Sequence, residues 1–374
     1  MGKKYNAAMV TLARESRGLT QTELVTRVGV QQSALSKVES GTSVITDDFI
    51  ALLAKALNYP DSFFSQMDEI YPFGSTTFYH RRLQSVQAGT LRTIEAKVNI
   101  CRFHVVRLLK ATDFDRRCRF RRIDLTEYDD RSRIGHTQRP KVEEIAQLTR
   151  AAWNLPSGPV SNLVRSVESS GGIVIRFDFG TAKMFGLSEW NPPVPPLFFL
   201  NDNPEITADR DRFTLAHEIG HVLLHAMPNP DMEIEANRFA SELLMPARDI
   251  RPHFTRPIKL YSVAKLKPFW KVSMAALIEQ AHNLAVINDN QHVYLRMQLQ
   301  RMGYRHREPA ELDIPREKPS LLTEVIQAHV NQLGLGYSDI AQMVNMMPSE
   351  FKSFYQIDAM QYGGFRLIKQ ENFS

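Results

Sequence analysis

The sequence predicts a multidomain α+β protein: an all-α N-terminal domain of helix-turn-helix type, a central α+β domain with a small sheet, and a helical C-terminal region. Three observations carry this. Short apolar-periodic segments alternate with glycine turns over the first seventy residues. A β-branched run, Ile173-Val174-Ile175, is bounded by Gly171-Gly172. Two helical runs then follow, separated by Pro228-Asn229-Pro230. A chain of 374 residues exceeds one comfortable core, and pattern divides it at 1–70, 71–139, 140–250, 251–314 and 315–374.

Composition narrows the class. A hydrophobic share of 43% with 23% charged residues is ordinary for a globular protein in water. No apolar run approaches the roughly 18–20 residues of a membrane span, so no membrane partner is expected. The basic start, Met1 to Asn6, lacks an apolar stretch after it and does not read as a secretory signal. Cys101 and Cys118 have no CxxC spacing, which argues against a disulfide framework or a thiolate metal site. A cytoplasmic location is the expectation. The net charge of +5 permits nucleic-acid binding.

In the N-terminal part, residues 9–17 suit a first helix. Thr20 and Glu23 form a capping-box pattern opening a second, which ends at Val28-Gly29. A third spans residues 31–39 and closes at Ser40-Gly41, and further helices are expected over 48–57 and 62–70. Two short helices around a glycine turn read as helix-turn-helix. On the third helix, Gln31, Gln32, Ser33, Ser36 and Lys37 suit base edges and phosphates, with Ala34, Leu35 and Val38 toward the core. Through Leu19-Thr20-Gln21, Glu23-Leu24, Gly29-Val30, Ser33 and Glu39-Ser40-Gly41, residues 7–60 resemble the XRE, lambda-repressor-like domains. The resemblance implies double-stranded DNA as a partner, a phosphate contact supported by Gln21, a third helix in the major groove, and binding as a homodimer.

Residues 71–75 suggest a linker, residues 78–82 mix aromatics with bases, and a helix is expected over 91–110. Arg116 to Arg122 is the densest basic cluster. It suits DNA phosphates or an acidic peptide, and equally a solvated strand paired with Asp124, Glu127, Asp129 and Asp130.

Regular pattern returns with helices over 142–153 and 160–169, a strand over 173–179 and a second over 196–203. Then comes His217-Glu218-Ile219-Gly220-His221. Histidines four apart share a helix face and can hold one metal ion, while Glu218 is placed to take a proton from an attacking water. His225 lies roughly 12 Å along a helix from His217, too far to share that ion. Past the Pro-Asn-Pro break, an antiparallel helix from about residue 231 brings Glu233 or Glu235 beside His221. Glu233 is preferred, because Asn237 shares its face and can hydrogen-bond a ligand, while Glu235 points about 200° away. His225 and His253 are the candidates for stabilising an oxyanion, neither marked out by its surroundings.

The run Arg212 to His221, followed by Glu233-x-x-Ala236-Asn237-x-Phe239-Ala240 and Leu243-Leu244-Met245-Pro246, resembles the ImmA/IrrE family of zinc metallopeptidases. Asn201 and Lys271 to Ile278 also fit its pattern, and the resemblance spans about residues 140–310. It implies a zincin-like domain with Zn2+ held by His217, His221 and Glu233, Glu218 as catalytic base, and cleavage of a protein such as an XRE-type repressor. Two other readings stand beside this one. The zinc domain acts as a sensor or interaction module and cuts nothing, or the helix-turn-helix recruits a protein substrate. In the C-terminal part, residues 258–284 read as two helices with Phe269 and Trp270 as core. Residues 315–319 read as a linker, residues 321–333 and 337–347 as helices, and the end beyond residue 362 as loose. Residues 334–341 are helix-turn-helix-like in outline, which packing helices explain equally well.

Overall fold

Local sequence signals end the N-terminal helices where they should. In the computed structural model, α1 (Ala7–Ser16) opens on Asn6, whose side chain accepts the Ala8 N–H. The helix α2 (Gln21–Val28) carries the reciprocal Thr20–Glu23 capping box and ends at Gly29 with φ of 79°, a left-handed turn that a side chain would strain. After it come α3 (Gln32–Glu39) and α4 (Asp47–Leu57). Residues 5–72, 86–110, 119–121, 141–225, 229–305, 307–355 and 357 are described. The basic cluster's Arg116, Arg117 and Arg122, the mixed segment 78–82 and the end beyond residue 362 lie outside them.

The helix expected over 62–70 is absent. A 3-10 turn, Asp61–Ser65, buries Phe63 and Phe64, and the chain leaves it through an extended Gln66 with no helix directly following. Its backbone finds partners across α5 (Ala88–Leu109) rather than within a helix. Asn99 accepts from the Tyr71 N–H and donates to the Tyr71 carbonyl, both at 2.9 Å, and Arg102 donates to the Glu69 carbonyl.

Two helices, α6 (Val142–Ala152) and α7 (Leu163–Ser169), lead into a three-stranded sheet of order β1-β3-β2. Strand β1 (Ile173–Phe177) pairs parallel with β3 (Leu197–Asn201), and β2 (Gly186–Glu189) pairs antiparallel on its other side. Both faces are covered, so β1 and β3 read as continuous apolar runs rather than alternating ones. Val174, Phe198 and Leu200 face a core shared with α8 (Ala208–Leu224) and α9 (Met232–Leu244). Ile173, Ile175, Phe177, Leu197 and Phe199 face a second core, closed by α5 and the C-terminal helices.

Beyond α9 lie α10 (Ala247–Ile250), α11 (Leu260–Trp270), α12 (Met274–Asn283) and α13 (Asp289–Arg301). Trp270 is fully buried, but Phe269, also expected in the core, is 52% exposed. Consecutive residues of α11 cannot both face the same core.

Residues 315–319 are a strap rather than a free linker. Arg316 pairs with Asp211 at 2.9 Å and donates to the Asn203 carbonyl, also at 2.9 Å. Glu317 pairs with buried Arg212, accepts the Val164 N–H, and gives its carbonyl to Arg176. Breaking such a buried pair costs roughly 3–5 kcal/mol. The strap delivers α14 (Leu321–Leu333), α15 (Tyr337–Met343) and α16 (Pro348–Phe354) to the sheet, where Val325, Ile326, Ile340 and Phe351 are fully buried. In the 334–341 segment, Ile340 and Ala341 are buried in that core.

Candidate metal centre

Helix α8 is buried on almost every side, with Arg210 and Phe213 its two less buried positions. Helix α9 crosses it closely enough that a Cβ on Gly220 would stand 3.2 Å from both the Ala236 Cα and the Phe239 ring. That approach brings the first turn of α9 to the histidine face of α8. A carboxylate there also gains from the positive end of the helix dipole.

His217 Nε2 and His221 Nε2 lie 3.0 Å apart. Glu233 places Oε2 3.6 Å from the first and Oε1 3.4 Å from the second. These three are the one cluster of metal-ligand type among the described residues. The preferred Glu233 is thus beside the two histidines, and the reserve Glu235 is elsewhere, 3.1 Å from His225 Nε2.

Hydrogen bonding says which ring nitrogens hold lone pairs. His217 Nδ1 lies 3.0 Å from Asn237 Oδ1, an acceptor, so Nδ1 carries the proton and Nε2 is bare. His221 Nδ1 meets His225 Nδ1 at 3.0 Å. Burial, and then the nearby His221, pushes the His225 imidazole below its ordinary value. The donor set fits a zinc ion. Two bare imidazole nitrogens and a carboxylate are its usual ligands, and bonds of ~2.0–2.1 Å at tetrahedral angles set ligand atoms roughly 3.3 Å apart.

Glu218 is buried beside the cluster, and Ser188 Oγ donates to its Oε2 at 3.1 Å. Nothing in the sequence marks Ser188. It sits on β2, whose Gly-Leu-Ser-Glu carries almost no strand signal, and only the β2–α8 packing brings it near. A cavity of about 490 Å³ opens beside His217, with Phe213, Thr214, Asn237, Arg238 and Ser241 among its walls. Neither oxyanion candidate faces the cluster's open side. His225 backs His221, and His253 stacks on Phe269 at 5.4 Å.

At the other end of the chain, Gln31, Gln32, Ser33, Ser36 and Lys37 are all exposed along α3 and its N-cap. Ala34, expected toward the core, is exposed among them, and Leu35 and Val38 are the buried apolar residues of the helix. Gln21 Nε2 donates to Glu39, which also pairs with Arg14 at 2.6 Å, locking α1, α2 and α3 together. Of the basic cluster, Arg119 binds carbonyls of Ser170 and Ala152, and Phe120 packs in the core against Trp153 and Phe198.

The model of the IrrE N-terminal-like domain, peptidase family M78, matches residues 168–282. The span runs from the end of α7 through the sheet, α8, α9 and α11 into α12. A helix-turn-helix model matches residues 11–64. No curated protein matches the chain.

Proposed function

We propose that this chain, which joins a helix-turn-helix domain to an IrrE N-terminal-like domain, is a DNA-binding regulator whose zinc-dependent endopeptidase centre cuts a partner protein. The observation that carries the proposal is the convergence of His217, His221 and Glu233 with a buried, oriented Glu218 beside them. His217, His221 and Glu233 are the residues that hold zinc. When bound, the ion polarises the scissile carbonyl and makes water nucleophilic near neutral pH. Glu218 takes the proton from the attacking water and passes it to the leaving amine. Ser188 keeps the carboxylate turned toward that task.

The sheet edge that reaches Glu218 is β2, through Ser188. The other sheet edge, β1, lies across β3 from Ser188 and Glu218. An XRE-type repressor, or the chain itself, is the substrate class that the helix-turn-helix fusion favours. Among the described residues no helix is long and apolar enough to cross a membrane.

One observation supports the sensor reading. Glu189, next to Ser188, pairs with Arg102 of α5 at 3.1 Å, and another face of α5 completes the helix-turn-helix core through Ala96, Ile100 and Phe103. The metal centre and the DNA reader are thus mechanically joined with or without cleavage. Glu218→Gln separates the readings. Zinc content should stay at wild type while cleavage falls about 10²–10⁴-fold and target-gene control fails. Unchanged gene control in that variant would leave the sensor reading standing.

A further inference from the structure

Glu235 and His225 are buried, lie beside the metal centre, and have no role in the chemistry above. Their geometry forms a chain. Glu235 Oε2 lies 3.1 Å from His225 Nε2, and His225 Nδ1 lies 3.0 Å from His221 Nδ1. Beyond it, His221 Nε2 faces His217 Nε2 at 3.0 Å. The His225 side chain is fully buried, and Glu235 is 8% exposed. Asn229 also reaches toward the same Glu235 oxygen, at 3.4 Å.

An ionised carboxylate only accepts, so His225 Nε2 carries a proton and donates it to Glu235. A neutral imidazole then presents a lone pair at Nδ1. His221 Nδ1 must donate to that lone pair, which leaves His221 Nε2 bare on the side of Glu233. With Glu235 as the acceptor at one end, the donors all point the same way, from the metal face to the carboxylate.

We propose that Glu235 and His225 form a positioning relay, in which the imidazole of His225 transmits the carboxylate's preference to His221 and fixes its Nδ1–H tautomer and ring orientation for metal binding. The relay rests on the zinc reading of His217, His221 and Glu233. A metal-bound histidine commonly has its second nitrogen backed directly by an acceptor, as His217 is by Asn237. At His221 the carboxylate stands one imidazole further out. Glu235 is two residues from Glu233 and points about 200° around α9, so it cannot reach the ring that Glu233 serves. His225 caps α8 in extended conformation, with φ of −119° and ψ of 97°. Its ring thereby leaves the helical path and closes the gap.

The test has two readouts that need no turnover. In nitrogen-15 histidine-labelled, metal-free protein, His221 should show the Nδ1–H tautomer. A predominant Nε2–H tautomer there overturns the relay without any variant. Zinc affinity is then measured by competition with a chromophoric chelator. His225→Leu should weaken binding by about 10–100-fold, and Glu235→Leu should weaken it in the same direction. His225→Gln, whose amide oxygen can accept from His221 Nδ1, should restore affinity toward wild type. Wild-type affinity in His225→Leu overturns the relay, as does an equal loss in His225→Gln, which would mark His225 as packing alone. If wild-type protein binds no zinc, the metal reading fails and the relay falls with it. Zinc binding that ignores residue 225 sinks only the relay.

Discussion

His217 and His221 are prepared for a cation by what stands behind them. Asn237 and His225 occupy the Nδ1 sides, which leaves both Nε2 atoms turned toward Glu233. Glu233→Ala should therefore abolish stoichiometric zinc in elemental analysis, whereas Glu235→Ala should leave an occupied, weaker centre. The reverse outcome would move the third ligand to Glu235. The choice between these carboxylates was legible in the spacing, because Asn237 lies one helical turn beyond Glu233 on the same face. The place of His225 was not. Continued as helix, it would lie a full turn beyond His221, but the helix ends there and the ring folds back. Ser188 was equally invisible, since thirty residues separate it from Glu218 and only sheet packing closes that distance.

At the scale of elements, α8 and α9 work as a pair because Gly220 lets them approach. A side chain at 220 would press on Ala236 and Phe239 and push Glu233 away from the histidines. The strap that binds the start of α8 ends at Glu168, whose carboxylate accepts the Ser320 and Leu321 N–H groups and so caps α14. Burial nevertheless pushes the Glu168 carboxyl up from 4.5 to about 7. The native state then binds a proton that the unfolded chain has released. Stability from this group is complete below about pH 4.5 and is lost as pH rises through about 7. Melting curves should show wild type losing ground to Glu168→Gln over that window, and parallel curves would contradict the assignment. Helix boundaries such as Thr20–Glu23 and Gly29 were readable because capping is local chemistry. The strap was not, because proline and mixed charge read as a linker until Asp211, Arg212 and Val164 are placed around it.

Across the whole molecule, α5 is the shared beam. Ala96, Ile100 and Phe103 complete the helix-turn-helix core, while Ile94, Val98, Cys101 and Val105 enter the sheet core. Arg17, at the end of α1, also pairs with Glu350 of α16. The DNA-reading surface is therefore held by elements that also close the sheet. Binding to a duplex from the chain's own promoter region should weaken steeply with salt, by a log–log slope of about −0.9 for each phosphate neutralised. Lys37→Ala should reduce that slope by about one if Lys37 contacts a phosphate, and Gln32→Ala should cost about 1–3 kcal/mol on the preferred sequence if it reads a base. Fluorescence anisotropy across a salt series measures both, and salt-insensitive binding would favour recruitment of protein over DNA. By itself, the sequence determined what local periodicity and capping control: the helices of the DNA reader, the strands β1 and β3, and the spacing that puts two histidines and two candidate glutamates on facing helices. Tertiary structure alone decided what holds Glu218, where His225 turns and what covers the sheet. Those outcomes depend on contacts between residues distant in the chain, and such contacts leave no period in the sequence.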